Sequence, residues 1–553
     1  MKLHLKKIVS LALAVLMVAG LAACGKEPAP TDHTGKVLTV GIQQRAAVDD
    51  MDNNLLTLYL EEKLGIDIQF VPFALGASDW RAQVNAMIAA GEPLPDVMWG
   101  FGWNENERYD YGSQGYIIDL TDLMRSESAT AAAYRERMAE VFGEDMFETV
   151  MRNIASPDGA VYGFPTIVQG DTTYSSMNVF INQKWLDNLG LEVPTNMDEL
   201  MTVLRAFKTQ DPNQNGKADE FPAVGQVGPT NTTTGTQNGD LPAWIINNYQ
   251  YTCDKRQWNS VDGKLYSPYI TDEYREGLKT LNTMVSEGLV DAFTWTSTYG
   301  SSEMTAMWTP ANDTAIAGVV AGAIAARVAQ DSPVALEYVP LPPFNYAPID
   351  INNVIPPCNI FITESCQDTE LAFDMLLAMT DFEGTMRARR GVEGEHWVLE
   401  EDDSPYGQGI RQLVQITAPH HVHWGAYVGH LVRGSQDTYE HDIRDPEQVW
   451  SNSVNDIMLD HEAAYVAKAD ANNPKETVDK IIYSPEETEE LGTRPAELLM
   501  FIKESRAKFA TGAAGFDPNS DADWANYLQT LDNMGLQDWL RISQGAYDRM
   551  NGK

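Results

Sequence analysis

The chain is short of cationic residues. Its 553 residues hold 39 Lys and Arg against 79 Asp and Glu, a formal net charge of −40. A surface that acidic repels phosphate backbones and anionic membrane surfaces, so no nucleic-acid partner is expected. Cysteine is scarcer still, limited to Cys24, Cys253, Cys358 and Cys366. After Cys24 an odd number remains, with no spacing that suggests a cysteine-rich zinc site. Cys358 and Cys366 can pair, but three free, mostly buried thiols are the simpler expectation. Beyond the N-terminal segment no apolar run is long enough to cross a membrane. Catalytic motifs are missing too: there is no G-x-S-x-G, P-loop, H-E-x-x-H or Cys/His nucleophile pattern. His420, His421 and His423 are too close in sequence to converge on one ion without a more distant ligand, and read as local solvated side chains. With so many acids, some carboxylate pair can be proposed for almost any hydrolase, so acid pairs carry no information. No enzymatic activity is expected.

The chain does have apolar mass. It is 43% hydrophobic, with 13 tryptophans, enough for sizeable cores in about two to three domains' worth of chain. Its first 24 residues carry an export signal. Lys2, Lys6 and Lys7 form a basic head, an apolar run extends from Ile8 to Ala23, and Leu21-Ala22-Ala23-Cys24-Gly25 closes it. The apolar core is shorter than the ~20 residues of a membrane span but suits a cleaved signal peptide, residues 1–23. The small residues before Cys24 resemble a bacterial lipobox, which implies that Cys24 is diacylated on sulfur and holds the protein on the extracytoplasmic face of a cell membrane. The alternative is an ordinary secreted protein with a chance cysteine at its cut site. Cleavage removes three lysines and no acids, leaving 36 basic against 79 acidic residues, net −43. The polar, proline-containing segment to Lys36 reads as a flexible tether, so residues 24–36 link lipid to body.

The body opens with alternating Leu38, Val40 and Ile42, a strand. A helix follows from about Asn54, a capping residue, to Leu64, with Gly65 placed to end it. Ile66–Phe70 is the next strand. A second helix starts at Asp79, with Trp80, Val84, Met87 and Ile88 on one face, and stops at Gly91. Leu94–Trp99 returns to a strand. This order is an α/β unit with a largely parallel sheet, in which ligands bind beyond the carboxyl ends of strands. Trp99 and Trp103 therefore stand at an expected site. Trp524–Leu531 and Trp539–Met550 have helical apolar spacing, and Trp185 and Trp539 read as core.

PDVMWG (Pro95–Gly100), QGYIIDL (Gln114–Leu120) and SPDGAVYGFP (Ser156–Pro165) resemble family 1 extracellular solute-binding proteins. DPNQNGKADEFP (Asp211–Pro222), REGLKTLNTMVSEGLVD (Arg275–Asp291) and RRGVEGEHW (Arg389–Trp397) resemble the large lipoprotein subgroup that includes the alginate-binding receptors. The resemblance implies a two-lobe, type II periplasmic-binding-protein-like α/β fold. Each lobe would be a mainly parallel sheet flanked by helices, joined by crossover strands near Thr166–Tyr174 and Ile349–Val354, with a return near Gln412. Residues 37–170 with 353–411 would then form lobe one, and residues 171–352 with 412–553 lobe two.

Asp211, Asn213 and Asn215 place side-chain oxygens at positions 1, 3 and 5 of a calcium loop. Gly216 allows the turn at position 6, Lys217 offers its carbonyl at 7, and Asp219 stands at 9. Pro222 replaces the usual bidentate Glu at position 12. Glu220 is the natural substitute, as the alginate-receptor resemblance also suggests. The alternative is a polar surface turn. The expected role of Ca2+ is structural.

Sugars show C–H patches that stack on flat aromatic faces, with carboxylates and amides taking the hydroxyls. Trp99, Trp103, Asp171 and Tyr174 at the first crossover, Trp295, Trp397 and Trp424 are the candidate ligand contacts, core packing being the alternative for each tryptophan. Trp99 and Trp424 are expected to close on a ring from opposite lobes. The expected protein is a monomeric, lipid-anchored receptor that captures an oligosaccharide and delivers it to ABC transporter permease subunits. A surface glycoside hydrolase or polysaccharide lyase is the alternative, and a receptor for peptides or another non-sugar solute a further one.

Overall fold

The computed structural model describes residues 35–43, 45–168, 177–225, 239–253, 257–296, 314–322, 332–348, 356–400, 409–414, 416–425, 431–433, 449–476, 478 and 480–551. Cys24 and the signal segment, Asp171, Tyr174 and the expected crossover at 349–354 lie outside the described residues.

Local chemistry sets the first elements. Strand β1 (Lys36–Gln43) pairs in parallel with β2 (Ile66–Phe73) and with β3 (Val97–Trp99). Between β1 and β2 runs helix Leu55–Leu64. Asn54 caps it by accepting from the Leu56 amide at 3.1 Å, and Gly65, at φ 71°, takes the left-handed turn that ends it. Between β2 and β3 runs helix Ala77–Ala90, which starts two residues before Asp79. The first sheet has the order β2, β1, β3, Cys358–Ile362, Phe164–Pro165, its last two pairings antiparallel.

Alternation divides the first lobe's core between the two sheet faces. Val97, Trp99, Ile360 and Ile362 face one cluster with Leu38, Val40 and Phe164. Met98 and Phe361 face the other, with Phe73, Trp80, Val84, Phe101 and Trp103. The second lobe holds a mixed sheet in the order Tyr338–Pro340, Val179–Asn182, Ala317–Ala321, Phe221–Val224. Its core runs from Met177 through Ala347 and resumes from Val454 to Ile542, taking in Trp185 and Trp539 as expected. The C-terminal helices Asp521–Asn533 and Leu536–Met550 pack on this second core.

Ile167–Val168 leaves lobe one paired in parallel with Val432–Arg433. Trp424, Leu431 and Val432, which follow the return expected near Gln412, all belong to the first core. The three described cysteines are buried and form no disulfide with one another, as expected. His423 is buried rather than solvated. It accepts from the Gly425 amide at 3.1 Å, and burial pushes its pKa down to about 4.

Candidate ligand cleft and cation loop

A cavity of about 740 Å³ opens between the lobes, within the size range of small-ligand sites. Lobe one supplies the segment after β3. Trp99 is followed by Gly100 at φ 83°, a left-handed turn that suits glycine, and the Gly100 and Phe101 amides both donate to the Asn359 carbonyl, at 2.8 and 3.0 Å. The chain then enters helix Glu105–Ser113, closed by a capping box between Asn104 and Glu107. Glu107 also takes two bonds from Arg81, at 2.5 and 2.9 Å, so the helix start is pinned from two sides. This brings Trp103, Asn104, Glu105 and Arg108 to one wall, and lobe two answers with Gln257, Trp258, Lys480 and Tyr483.

Lys480 crosses the gap. Its ammonium pairs with Glu105 at 2.7 Å and donates to the carbonyls of Asn153 and Ala155, at 2.6 and 3.4 Å. Those carbonyls end helix Met146–Ile154, where unpaired C=O groups and the helix dipole favour a cation. Tyr483 is held by Trp539 and Ser543, at 3.1 and 2.7 Å, and its burial raises its pKa.

Of the expected tryptophans, Trp103 alone lines this cavity. Trp99 is 1% exposed and packs edge-on against Trp424 with ring centroids 5.3 Å apart. Trp424 also meets Phe70 and donates its indole N–H to Thr57 at 2.9 Å, inside lobe one. The two residues expected to close from opposite lobes are therefore neighbours in one core. Trp397 is buried in a small cluster with Met386 and Ile410, its N–H on the Gly391 carbonyl at 3.1 Å. Trp295 is half-buried against the second core. Trp258, Gln257, Tyr483, Lys480 and Arg108 were missed by sequence reasoning, because they lie far along the chain from the β3 end or on the far side of a helix cap. Arg108 alone had a local signal, its place in the first helix after a strand's carboxyl end.

The Asp211–Glu220 loop is tightly wound. Asp211 (φ 48°) and Gln214 (φ 56°) adopt left-handed backbone, as does Gly216 at 73°. Asp211 accepts from the Asn215 and Gly216 amides at 3.1 and 3.0 Å. Asn213 accepts from the Asn215 amide, and Asn215 from the Lys217 amide. Asp219 accepts from the Asn215 side chain at 3.0 Å. Glu220 stands out: one of its oxygens is buried without a partner. Burial first, then the charges of Asp219 and Asp211, raise its pKa. An orphaned carboxylate oxygen beside two further acids fits a hard cation. Among the described residues, however, no group of three His, Cys, Asp or Glu is already gathered tightly enough to hold an ion. The neutral oxygens of Asn213, Asn215 and Lys217 would have to complete such a site.

The family model for bacterial extracellular solute-binding proteins matches residues 44–374. The chain belongs to this family. A fructooligosaccharide ABC transporter substrate-binding protein, FusA of Streptococcus pneumoniae, is 28% identical to this solute-binding protein over 300 residues, 50% of this chain and 52% of that one. The chain thus spans about half the length of the curated relatives it matches. Among solved structures, an extracellular solute-binding protein from Bifidobacterium longum subsp. infantis superposes with a TM-score of 0.72 at 20% identity, covering 93% of this chain and 98% of that one. An EF-hand mutant of the S. pneumoniae FusA with fructo-nystose gives 0.68 at 21%, covering 94% and 100%. These likenesses establish the two-lobe fold of this solute-binding protein. Its family is one of binding proteins for extracellular solutes, and no described helix is long and apolar enough to cross a membrane.

Proposed function

We propose that this protein captures an oligosaccharide between its lobes and delivers it to the permease subunits of an ABC importer. In this reading lobe one is formed by residues 37–170 with 353–432, lobe two by residues 171–352 with 433–553, and residues 24–36 are the tether. The observation that carries the reading is the cavity itself: its walls come from both lobes and set the half-buried ring of Tyr483 beside the amides of Asn104 and Gln257, with the buried Trp103 and Trp258 behind them. Flat rings with amide donors and acceptors suit a sugar's C–H faces and hydroxyls. Asp171 and Tyr174, on the first crossover, are further contacts in this reading. The fructooligosaccharide specificity in the name of the S. pneumoniae relative supports the same ligand class. The protein acts as a monomer, tethered by a lipid on Cys24 to the extracytoplasmic face of the membrane.

Ca2+ bound by Asp211, Asn213, Asn215, Asp219 and Glu220, with the Lys217 carbonyl, pins its loop in lobe two and takes no part in chemistry. The buried Glu220 oxygen and the EF-hand named in the S. pneumoniae structure support this.

The test is a calorimetric screen of fructo-, malto- and galacturono-oligosaccharides against peptides, with product analysis of each glycan after incubation. Saturable glycan binding with intact glycan recovered is the expected result. Peptide binding alone, or release of new reducing ends or unsaturated sugars, overturns the proposal.

A further inference from the structure

Three pairs of described residues mark where the chain changes core. Ile167 packs in the first core and Met177 in the second, Ala347 in the second and Cys358 in the first, Val432 in the first and Val454 in the second. The lobe-two ends of these passages meet on one helix, Val449–Asn472, which is itself the first described element after Arg433. Positions 461, 465, 468 and 472 are spaced to share one face of it. His461 accepts on Nε2 from the amide of Val179, just past the first passage, at 3.3 Å, and its ring lies 4.9 Å from that of Phe180. Tyr465 stacks on His461 and donates its hydroxyl to the carbonyl of Pro348, at the mouth of the second passage, at 2.8 Å. Lys468 and Asn472 donate to the carbonyls of Phe344 and Asn345, at 3.1 and 3.0 Å. Asn473, one residue beyond the helix, holds Ala347 from both sides, donating to its carbonyl at 2.7 Å and accepting from its amide at 2.9 Å. Residues 344–348 belong to no strand or helix, so these carbonyls lack ladder partners and the helix side chains supply them. His461 and Tyr465 are both fully buried. The second ring nitrogen of His461 has no partner, a cost that an apolar side chain would avoid. Core filling therefore does not account for the histidine; its bond to Val179 does.

We infer that helix Val449–Asn472 is the pivot anchor of the molecule: through His461 and Tyr465 it ties the lobe-two ends of the passages to one rod, so that the lobes turn about a single axis. A 24-residue helix is a stiff element of ~36 Å. Strand ends fastened to it cannot shift independently, and the backbone rotation of lobe movement is confined to the few residues beyond the fastenings. His461 and Tyr465 are positioning residues, since neither lines the described cavity. The inference rests on the two-lobe fold and holds whichever solute is bound.

The experiment measures interlobe distances in the ligand-free mature chain by pulsed electron paramagnetic resonance. Spin labels are attached through Glu62→Cys on helix Leu55–Leu64 of lobe one and Asp532→Cys on helix Asp521–Asn533 of lobe two, both exposed. Cys24→Ser keeps the tether unlabelled, and the remaining cysteines are buried. In this background Tyr465→Phe and Lys468→Met are compared with Tyr527→Phe. The control loses a bond of the same kind, from a buried tyrosine hydroxyl to the Tyr269 carbonyl at 3.2 Å, inside the second core. Thermal melts verify that each variant folds. Tyr465→Phe is expected to raise the fraction of molecules outside the main wild-type distance peak about fivefold, the scale of one buried hydrogen bond. Lys468→Met should raise it in the same direction, and Tyr527→Phe should leave it unchanged. A Tyr465→Phe distribution identical to that of the wild type overturns the inference. Equal broadening by Tyr465→Phe and Tyr527→Phe also overturns it, because a general loosening of lobe two then explains the change.

Discussion

Replacing Lys480 by Met is expected to loosen the lobes while leaving each one folded. The methionine keeps most of the apolar stem, so the change isolates the ammonium. Its side chain is 10% exposed and holds Glu105 and the Asn153 and Ala155 carbonyls, 327 and 325 residues away. Glu105 is 43% exposed, so its ion pair contributes little, about 0–1 kcal/mol. The short bond to the Asn153 carbonyl is charge-assisted and belongs to a residue only 5% exposed. Losing it costs about 1.5–3 kcal/mol. Together the interlobe contact is worth about 2–3 kcal/mol, a shift of about 30- to 150-fold toward separated lobes. Small-angle scattering of the ligand-free protein measures this directly, as a larger radius of gyration and a longer maximum dimension for the variant. Glu105→Gln should move the same quantities much less, because the carbonyl bonds remain. Identical scattering curves for wild type and Lys480→Met would refute the reasoning, and so would a large loss in the unfolding free energy of lobe two without a change in shape.

Three further outcomes are expected. Chelator should lower the melting temperature and calcium restore it, with Asp211→Ala abolishing the response; elemental analysis that finds no ion, with unchanged melts, refutes the cation site. Trp99→Ala should cost about 3–5 kcal/mol in a urea melt, the scale of a core aromatic rather than of a ligand platform; a loss below about 1 kcal/mol refutes the packing with Trp424. Stability should fall as pH drops below about 6.5. Burial holds His423 neutral to about 4 and His461 to about 3, so the unfolded chain takes up their protons first and acid favours it. Urea midpoints at pH 7.5 and 5 measure this, and an unchanged or higher midpoint at pH 5 refutes it.

What the sequence determined by itself is local or compositional. Asn54 and Gly65 bound their helix because a cap and a left-handed glycine act within a turn of the chain. The alternation in β1 and β2 showed which side chains turn inward, and Asp211–Glu220 folds into an oxygen-lined turn from its own side chains. The family, too, was legible in short motifs. Burial at the ends of strands was not. The position of Trp99 at the carboxyl end of β3 fixes its place in the sheet. Whether it meets ligand or core depends on a segment 325 residues later that lays Trp424 against it. Likewise nothing near Lys480 marks it as the residue that reaches Glu105 and the end of helix Met146–Ile154. An ion pair or an aromatic contact across that separation exists only once both lobes are folded and docked, because its energy depends on distance and desolvation and leaves no periodicity in the chain.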